Sequence, residues 1–465
     1  MAKLAVIVGL DIGTTHLKVL GVRPDGERVR SIHAPIVTQL DEGRAEQDPQ
    51  AIRRMVLDAV DDLRVHYDVK GLAISTAMHA FMVLDKLRRP ATTVWTWMDR
   101  RAETTAQRIR QTGLSSSLQA ETGTPVHAMS PLVKWIHWRT QHAEAIGTPV
   151  ALKDYLIEAL TGELVTDMST ASATGFLGIE GRWNATALEL ARLSPEQLPP
   201  VVAMDAVVAH GSRAMVAGGT DGPLAHLGLN INPGDPDAVL SLGTSGAIRV
   251  SAASPPKSLP PSLFCYVTGR EWLLGSAFSN MGNLLAWLSR LTSLPVPRII
   301  EQGLAVIRDR SELPLLIPYL HGERSPWWDE TLSGQILGLK SDHGAQHLAG
   351  AALYAMAASF LDGLEVLERV YGPIRTITAG SRLFQAPGLA QWFADSLQRP
   401  ILQRNIDDAS VWGALALANA QAQWEPQWLS DGDDQWWYPR SSAEHDKVAA
   451  TLSATHLAVK NLSRT

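Results

Sequence analysis

Apolar residues gather in short β-rich runs and in longer helical stripes that alternate along the 465 residues. That alternation predicts an α/β architecture. Two β-rich stretches share one design. Residues 5–22 and 238–250 each read as an apolar run, a tight turn and a second apolar run, with Gly13-Thr14-Thr15 at one turn and Gly243-Thr244-Ser245 at the other. Each predicts a hairpin. Residues 48–63 predict an amphipathic helix, with Asp48 as N-cap, Pro49 at the first helical position and Ile52, Val56, Ala59 and Leu63 at helical spacing. Residues 71–76 predict a strand leading to a loop that carries Met78 and His79. Further helices are expected over 101–112, 131–141, 153–161 (stopped by Gly162), 282–291 and 346–370. Polar or proline-rich breaks fall at 193–200 and 254–261.

Length adds a division to this picture, because 465 residues exceed one typical core. The turn-rich stretch 228–237 is the expected boundary, dividing the chain into domains 1–232 and 233–465. A tail rich in tryptophan (Trp424, Trp428, Trp436, Trp437) is expected to be a surface packing appendage. The formal net charge of -6 argues against nucleic acid or an anionic membrane as partner. A single cysteine, Cys265, excludes an intramolecular disulfide and suits a reducing cytoplasm. No signal-peptide core and no run of about 20 apolar residues is visible, so a cytoplasmic protein is expected.

The hairpin tips carry the candidate chemistry. Small residues, free backbone N–H groups and hydroxyls suit polyphosphate, since glycine lets the backbone approach the oxygens. A single Gly-Thr-Thr turn is equally an ordinary hairpin. No Gly-Lys pair occurs, which removes a P-loop, and the first strand does not lead into G-x-G-x-x-G. Asp11 ends the first apolar run, where a buried carboxylate needs a cation or hydrogen bonds. Mg²⁺ carrying ATP phosphates would meet that need. Asp221, between glycines in Gly218-Gly219-Thr220-Asp221-Gly222, is a candidate base for a substrate hydroxyl, or simply a helix N-cap. No His/Cys cluster has the spacing of a zinc site.

From Val6 to about Ala420 the chain resembles the FGGY family of carbohydrate kinases. The likeness rests on Asp11-Ile12-Gly13-Thr14-Thr15, Gly243-Thr244-Ser245-Gly246, residues 377–382 and residues 44–49, 95–101 and 319–326. The resemblance implies two actin-like ATPase (ribonuclease H-like) domains around a central cleft. It further implies ATP and Mg²⁺, the nucleotide lying against Gly13, Thr14, Thr15, Gly243, Thr244, Ser245, Gly282, Gly380 and Ser381. Asp221 matches the catalytic base, and Asp11 with Asp221 the metal-side carboxylates. Residues 122–134, 153–157 and 167–175 resemble the gluconate kinases of the family, while Met78-His79 is similar to the substrate loop of xylulose kinases. Met78, His79, Trp95 and Lys134 are therefore the candidate sugar contacts, with Arg100 and Lys153 as other candidate cations for a carboxylate. The expected partners are a small sugar acid and ATP, with a homodimer considered as the assembly. A sugar- and nucleotide-binding sensor and an actin-like chaperone or filament protein are the non-kinase alternatives. One departure from the family's second signature is Tyr354, where an acid or amide is usual.

Overall fold

The first hairpin forms where its apolar pattern predicts. In a computed structural model, β1 (Leu4–Ile12) pairs antiparallel with β2 (His16–Val22), Asp11 facing Lys18 across the ladder. The structure describes residues 3–143, 147–211, 214–230, 234, 237–269, 271–424 and 434–462. Around the hairpin, β3 (Arg28–Pro35), β4 (Tyr67–Thr76) and β5 (Gly219–Thr220) complete a five-stranded sheet in the order β5-β4-β1-β2-β3. β4 and β5 run parallel to their neighbours, which places the ends of β1, β4 and β5 together.

α1 (Pro49–His66) covers this sheet. Asp48 caps it, accepting from the amides of Gln50 (2.8 Å) and Ala51 (3.1 Å). Ile52, Val56, Ala59 and Leu63 are its buried stripe, as their spacing requires, and they join the core formed by β1 and β4. A second five-stranded sheet, whose strands include Arg44–Gln47, Phe81–Leu84 and Val94–Trp95, stands beside it. The expected helices appear at Glu103–Gln111, Pro131–Gln141 and Leu152–Thr161, the last ending at Gly162 with φ +87°.

The second domain repeats the plan on a larger sheet. β6 (Ala238–Leu242) and β7 (Gly246–Ala252) form the second hairpin. With β8 (Phe264–Val267), β9 (Trp272–Phe278), β10 (Ile377–Gly380), β11 (Ile401–Gln403) and β12 (Gln435–Trp437) they make seven strands in the order β8-β9-β7-β6-β10-β11-β12. Its core helix is Ala345–Tyr371, long and apolar enough to span a membrane but mostly buried inside this domain. The tryptophan tail packs at the surface, as expected, and does so by extending the sheet. Trp436 and Trp437 lie on edge strand β12, and Trp437 Nε1 donates to Gln403 Oε1 at 2.9 Å. Trp428 lies outside the described residues. Tyr354 meets a partner from the C-terminal helix Ala443–Leu462, donating to Glu444 Oε2 at 2.6 Å.

Two helices join the halves. α2 (Asp221–Leu229) follows β5, and its Leu229 abuts Gly380 at the end of β10. α3 (Ala409–Ala422), distant in sequence, packs on β1, β4 and α2. It thus lies on the first sheet although it belongs to the second half of the chain. The expected boundary at 232/233 lies outside the described residues.

Candidate active site

Asp11 stands near the end of β1, just before the first hairpin tip. It is 5% exposed, accepts from Ser75 Oγ at 2.7 Å and faces Lys18 Nζ at 4.0 Å. Burial pushes its carboxyl above the ordinary value, with Ser75 and Lys18 acting in the opposite sense. Lys18 itself is held by Asp408 at 2.6 Å, just before α3.

Asp221 opens α2 but does not cap it. The N-cap position is Thr220, and Asp221 Oδ1 instead accepts from the backbone amide of Met78 at 3.1 Å. Burial, and then the charge of Asp11, raise the Asp221 pKa to about 6; the Met78 amide and Arg249 oppose the rise. A carboxylate with that pKa is ionised at neutral pH yet basic enough to accept a proton.

The hairpin tips are held from behind. At the first, the Gly13 amide donates to His16 O (3.0 Å), while Thr14 O accepts from Gln47 Nε2 (2.7 Å) and Thr38 Oγ1 (2.9 Å). At the second, the Gly243 amide donates to Ser245 O (2.9 Å), and Gly243 and Thr244 are exposed. Gly282, opening the helix Gly282–Thr292, donates its amide to Gly243 O at 2.9 Å. A Cβ on Gly282 would lie 2.5 Å from that oxygen, so only glycine fits this approach. Ser381 Oγ donates to Leu242 O, and Gly380 pairs with Ser241, so residues 380–381 flank the second tip.

Met78 and His79 stand on the loop after β4, beside Asp221. His79 adopts φ +60°, a left-handed conformation costly for a side-chain-bearing residue. Its ring Nδ1 lies 2.9 Å from Ala173 O, and burial together with Lys134 lowers its pKa to about 3, leaving a neutral imidazole. Facing it are Tyr266, with ring centroids 6.2 Å apart, and the Met78, Trp97, Met129 and Trp328 cluster.

Several expectations change here. Lys134 is fully buried and donates to His79 O (2.9 Å), Thr96 O (2.7 Å) and Trp95 O (3.2 Å). These three acceptors match the three hydrogens of an ammonium, although burial draws its pKa down to about 7. Lys134 therefore ties the His79 loop in place and offers no hydrogen to a substrate. Lys153 is likewise spent on Asp167 (2.8 Å) and Ala217 O (3.0 Å). Arg100 is exposed and binds Glu103 and Glu330 O. Trp95 is 5% exposed in a core cluster under the Arg101 guanidinium, 3.8 Å from its ring. The residue that reaches the first tip is Trp97, whose Nε1 donates to Thr14 Oγ1 at 3.1 Å.

Sequence reasoning missed Trp97, Arg249 and Arg324. All three stand inside segments quoted above, but Trp97 follows the two-residue strand Val94–Trp95 in a turn, so no strand pattern marks it. No local signal announces the arginines, because Asp221 and Trp97, which they face, come from the other half of the chain.

Residues 6–219 match the N-terminal domain, and residues 238–422 the C-terminal domain, of the FGGY family of carbohydrate kinases. The chain is 30% identical to a gluconokinase of Bacillus subtilis (strain 168) over 450 residues, covering 88% of this chain and 86% of the relative. It is also 30% identical to a xylulose kinase of Escherichia coli (strain K12) over 383 residues, covering 77% and 78%. Among solved structures, a gluconate kinase from Lactobacillus acidophilus superposes with a TM-score of 0.88 at 25% identity, covering 98% of both chains. With both domain matches spanning most of its length, the chain belongs to the FGGY family of carbohydrate kinases, built on the actin-like ATPase fold.

Proposed function

We propose that this carbohydrate kinase transfers the γ-phosphoryl group of ATP to the terminal hydroxyl of D-gluconate, giving 6-phospho-D-gluconate. The observation that carries the chemistry is Asp221: a carboxylate at the cleft, pinned by the Met78 amide at 3.1 Å and raised to a pKa of about 6. Likeness to gluconokinases over 88% of the chain supports the choice of substrate.

In this reading the polyphosphate lies between Gly13-Thr14-Thr15 and Gly243-Thr244-Ser245, with Gly282, Gly380 and Ser381 on the nucleotide side. The sugar acid lies by Met78 and His79, its terminal hydroxyl directed to Asp221. Asp221 accepts the hydroxyl proton as the oxygen attacks phosphorus in line. Neutral His79 keeps a ring nitrogen for a sugar hydroxyl. The domains exclude water, which would otherwise take the phosphoryl group.

Asp11 and Asp221 fit Mg²⁺ in type and number. Mg²⁺ uses one or two carboxylates and completes its shell with water and phosphate oxygens, so a full protein cage is not required. Among the described residues there is no cluster of three or more metal-ligating side chains. The cation would neutralise phosphate charge. These substrates place the reaction in the cytoplasm.

The test is ADP release with ATP and Mg²⁺ in the presence of D-gluconate, D-xylulose, glycerol or no sugar. Stimulation by gluconate alone is expected. Stimulation by xylulose instead would replace the substrate assignment, and none by any sugar would revive the sensor reading.

A further inference from the structure

Two guanidinium groups converge on the sugar side of the cleft from the second domain. Arg249 lies on β7 opposite Gly275 of β9, where a Cβ would stand 3.1 Å from Arg249 Cγ; the glycine leaves room for the arginine stem. Nη1 donates to Ser241 Oγ at 2.9 Å. The far end of the group reaches the first turn of α2. A Cβ on Gly222 would lie 3.6 Å from Nη2 and 3.9 Å from Nε, so Arg249 sits beside the residue that follows Asp221.

Arg324 approaches from the loop after residue 319. Its Nη2 donates to Phe278 O (2.6 Å) and its Nε to Ser279 Oγ (3.3 Å), while the guanidinium lies 5.9 Å from the Trp97 ring centroid. These acceptors are neutral oxygens; the carboxylates acting on the two groups at longer range are Asp221 and, for Arg324, Glu323. Burial lowers the pKa of Arg249 to about 10, Asp221 opposes that shift, and Arg324 adds to it. A guanidinium keeps its charge inside a protein.

Desolvated guanidiniums whose hydrogen bonds go to neutral oxygens are a poor arrangement for a neutral polyol. They suit an oxyanion, which accepts paired N–H bonds from a guanidinium fork. We propose that Arg249, supported by Arg324, is the specificity-determining group that receives the substrate carboxylate and makes this site prefer a sugar acid to a neutral sugar of the same length. The inference rests on the gluconate reading above. The γ-phosphate of ATP offers the same oxyanion chemistry, and the two sources separate experimentally.

The experiment is calorimetric titration of the wild type, Arg249→Gln, Arg249→Lys and Arg324→Gln with three ligands. These are D-gluconate, D-glucitol (the same carbon chain with a hydroxymethyl group for the carboxylate) and a non-hydrolysable ATP analogue. The wild type should bind gluconate at least about 10-fold more tightly than glucitol. In Arg249→Gln that ratio should fall close to one, with glucitol and nucleotide affinities nearly unchanged. Arg249→Lys, which keeps the charge and loses the fork, should fall between. Each variant's melting curve checks its folding, and Arg249→Lys and Arg324→Gln carry the comparison if Arg249→Gln does not fold.

A wild type without preference for gluconate removes the substrate reading and this inference with it. A preference that survives in Arg249→Gln overturns the inference alone. So does a loss of nucleotide affinity with the gluconate-to-glucitol ratio intact, which would assign the arginine to phosphate.

Discussion

A Cβ placed on Gly413 would stand 2.0 Å from the carbonyl oxygen of Leu224. The contact is reciprocal, since a Cβ on Gly228 would lie 2.0 Å from Ala409 O and 2.8 Å from the Gly413 amide. Glycine at both crossings lets α3 and α2 pack backbone against backbone, and α2 begins with Asp221. The position of the base is therefore tied to a helix from the far end of the chain.

Gly413→Ala should force these helices apart. Overpacking of this kind costs about 1–3 kcal/mol. Urea unfolding should show a lower midpoint with an unchanged slope. An unchanged midpoint would mean that the helices slide without penalty.

Gly282→Ala should act on the nucleotide. The added methyl group meets Gly243 O at 2.5 Å and must displace the second tip. KM for ATP should rise about 10-fold, comparable to losing one hydrogen bond to a charged group, while gluconate binding in the absence of nucleotide stays near wild type. Equal weakening of both ligands in titrations would point to general damage.

Asp221→Asn should nearly abolish phosphoryl transfer while nucleotide binding remains measurable. In the wild type, kcat/KM should fall about 10-fold per pH unit below about 6, because only the ionised carboxylate accepts the hydroxyl proton. A flat acid limb, or turnover in the variant, would remove Asp221 from the mechanism.

The same residue predicts a stability trade. Its folded pKa of about 6 exceeds the ordinary 3.8, so the folded state holds the proton more tightly. Ionised Asp221 therefore destabilises the fold increasingly as pH rises from about 4 to 6, and by a constant amount above that. Asp221→Asn should melt higher at pH 8, by about 1–2 kcal/mol once partial exposure is discounted. The gain should shrink as pH falls from 6 towards 4, which melting curves across that window would show.

Lys134→Met should uncouple the sugar loop. It leaves the carbonyls of His79, Trp95 and Thr96 without their buried donor. A loss of about 2–4 kcal/mol is expected, together with a raised KM for the sugar and an unchanged KM for ATP, because His79 loses the contact that holds its φ +60° backbone. Higher stability in the variant would show that the ammonium is not the loop's anchor.

Much was legible along the chain because its signals are local. Gly-Thr-Thr and Gly-Thr-Ser between apolar runs mark hairpin tips wherever they fold, and Asp48-Pro49 with the Ile52, Val56 and Leu63 stripe is a helix by its own spacing. Asp221 stood out by its glycine-flanked setting, and its likeness to a known family supplied a role.

What sequence alone could not decide is which charges stay unpaired after folding. Lys134, Lys153, Arg249 and Arg324 are equivalent cations on paper. Burial gives the two lysines neighbouring carbonyls and, for Lys153, the carboxylate of Asp167; it leaves the two guanidiniums hydrogen-bonded to neutral oxygens, with Asp221 and Glu323 near them. The same holds for Trp95 and Trp97, two residues apart, of which one enters a core and the other reaches Thr14. Local pattern determines the hairpins, helices and candidate base, because those depend on neighbours in the chain. The setting of the candidate site depends on contacts between residues as far apart as Met78 and Asp221, and only tertiary packing sets the desolvation and partners that give each side chain its chemistry.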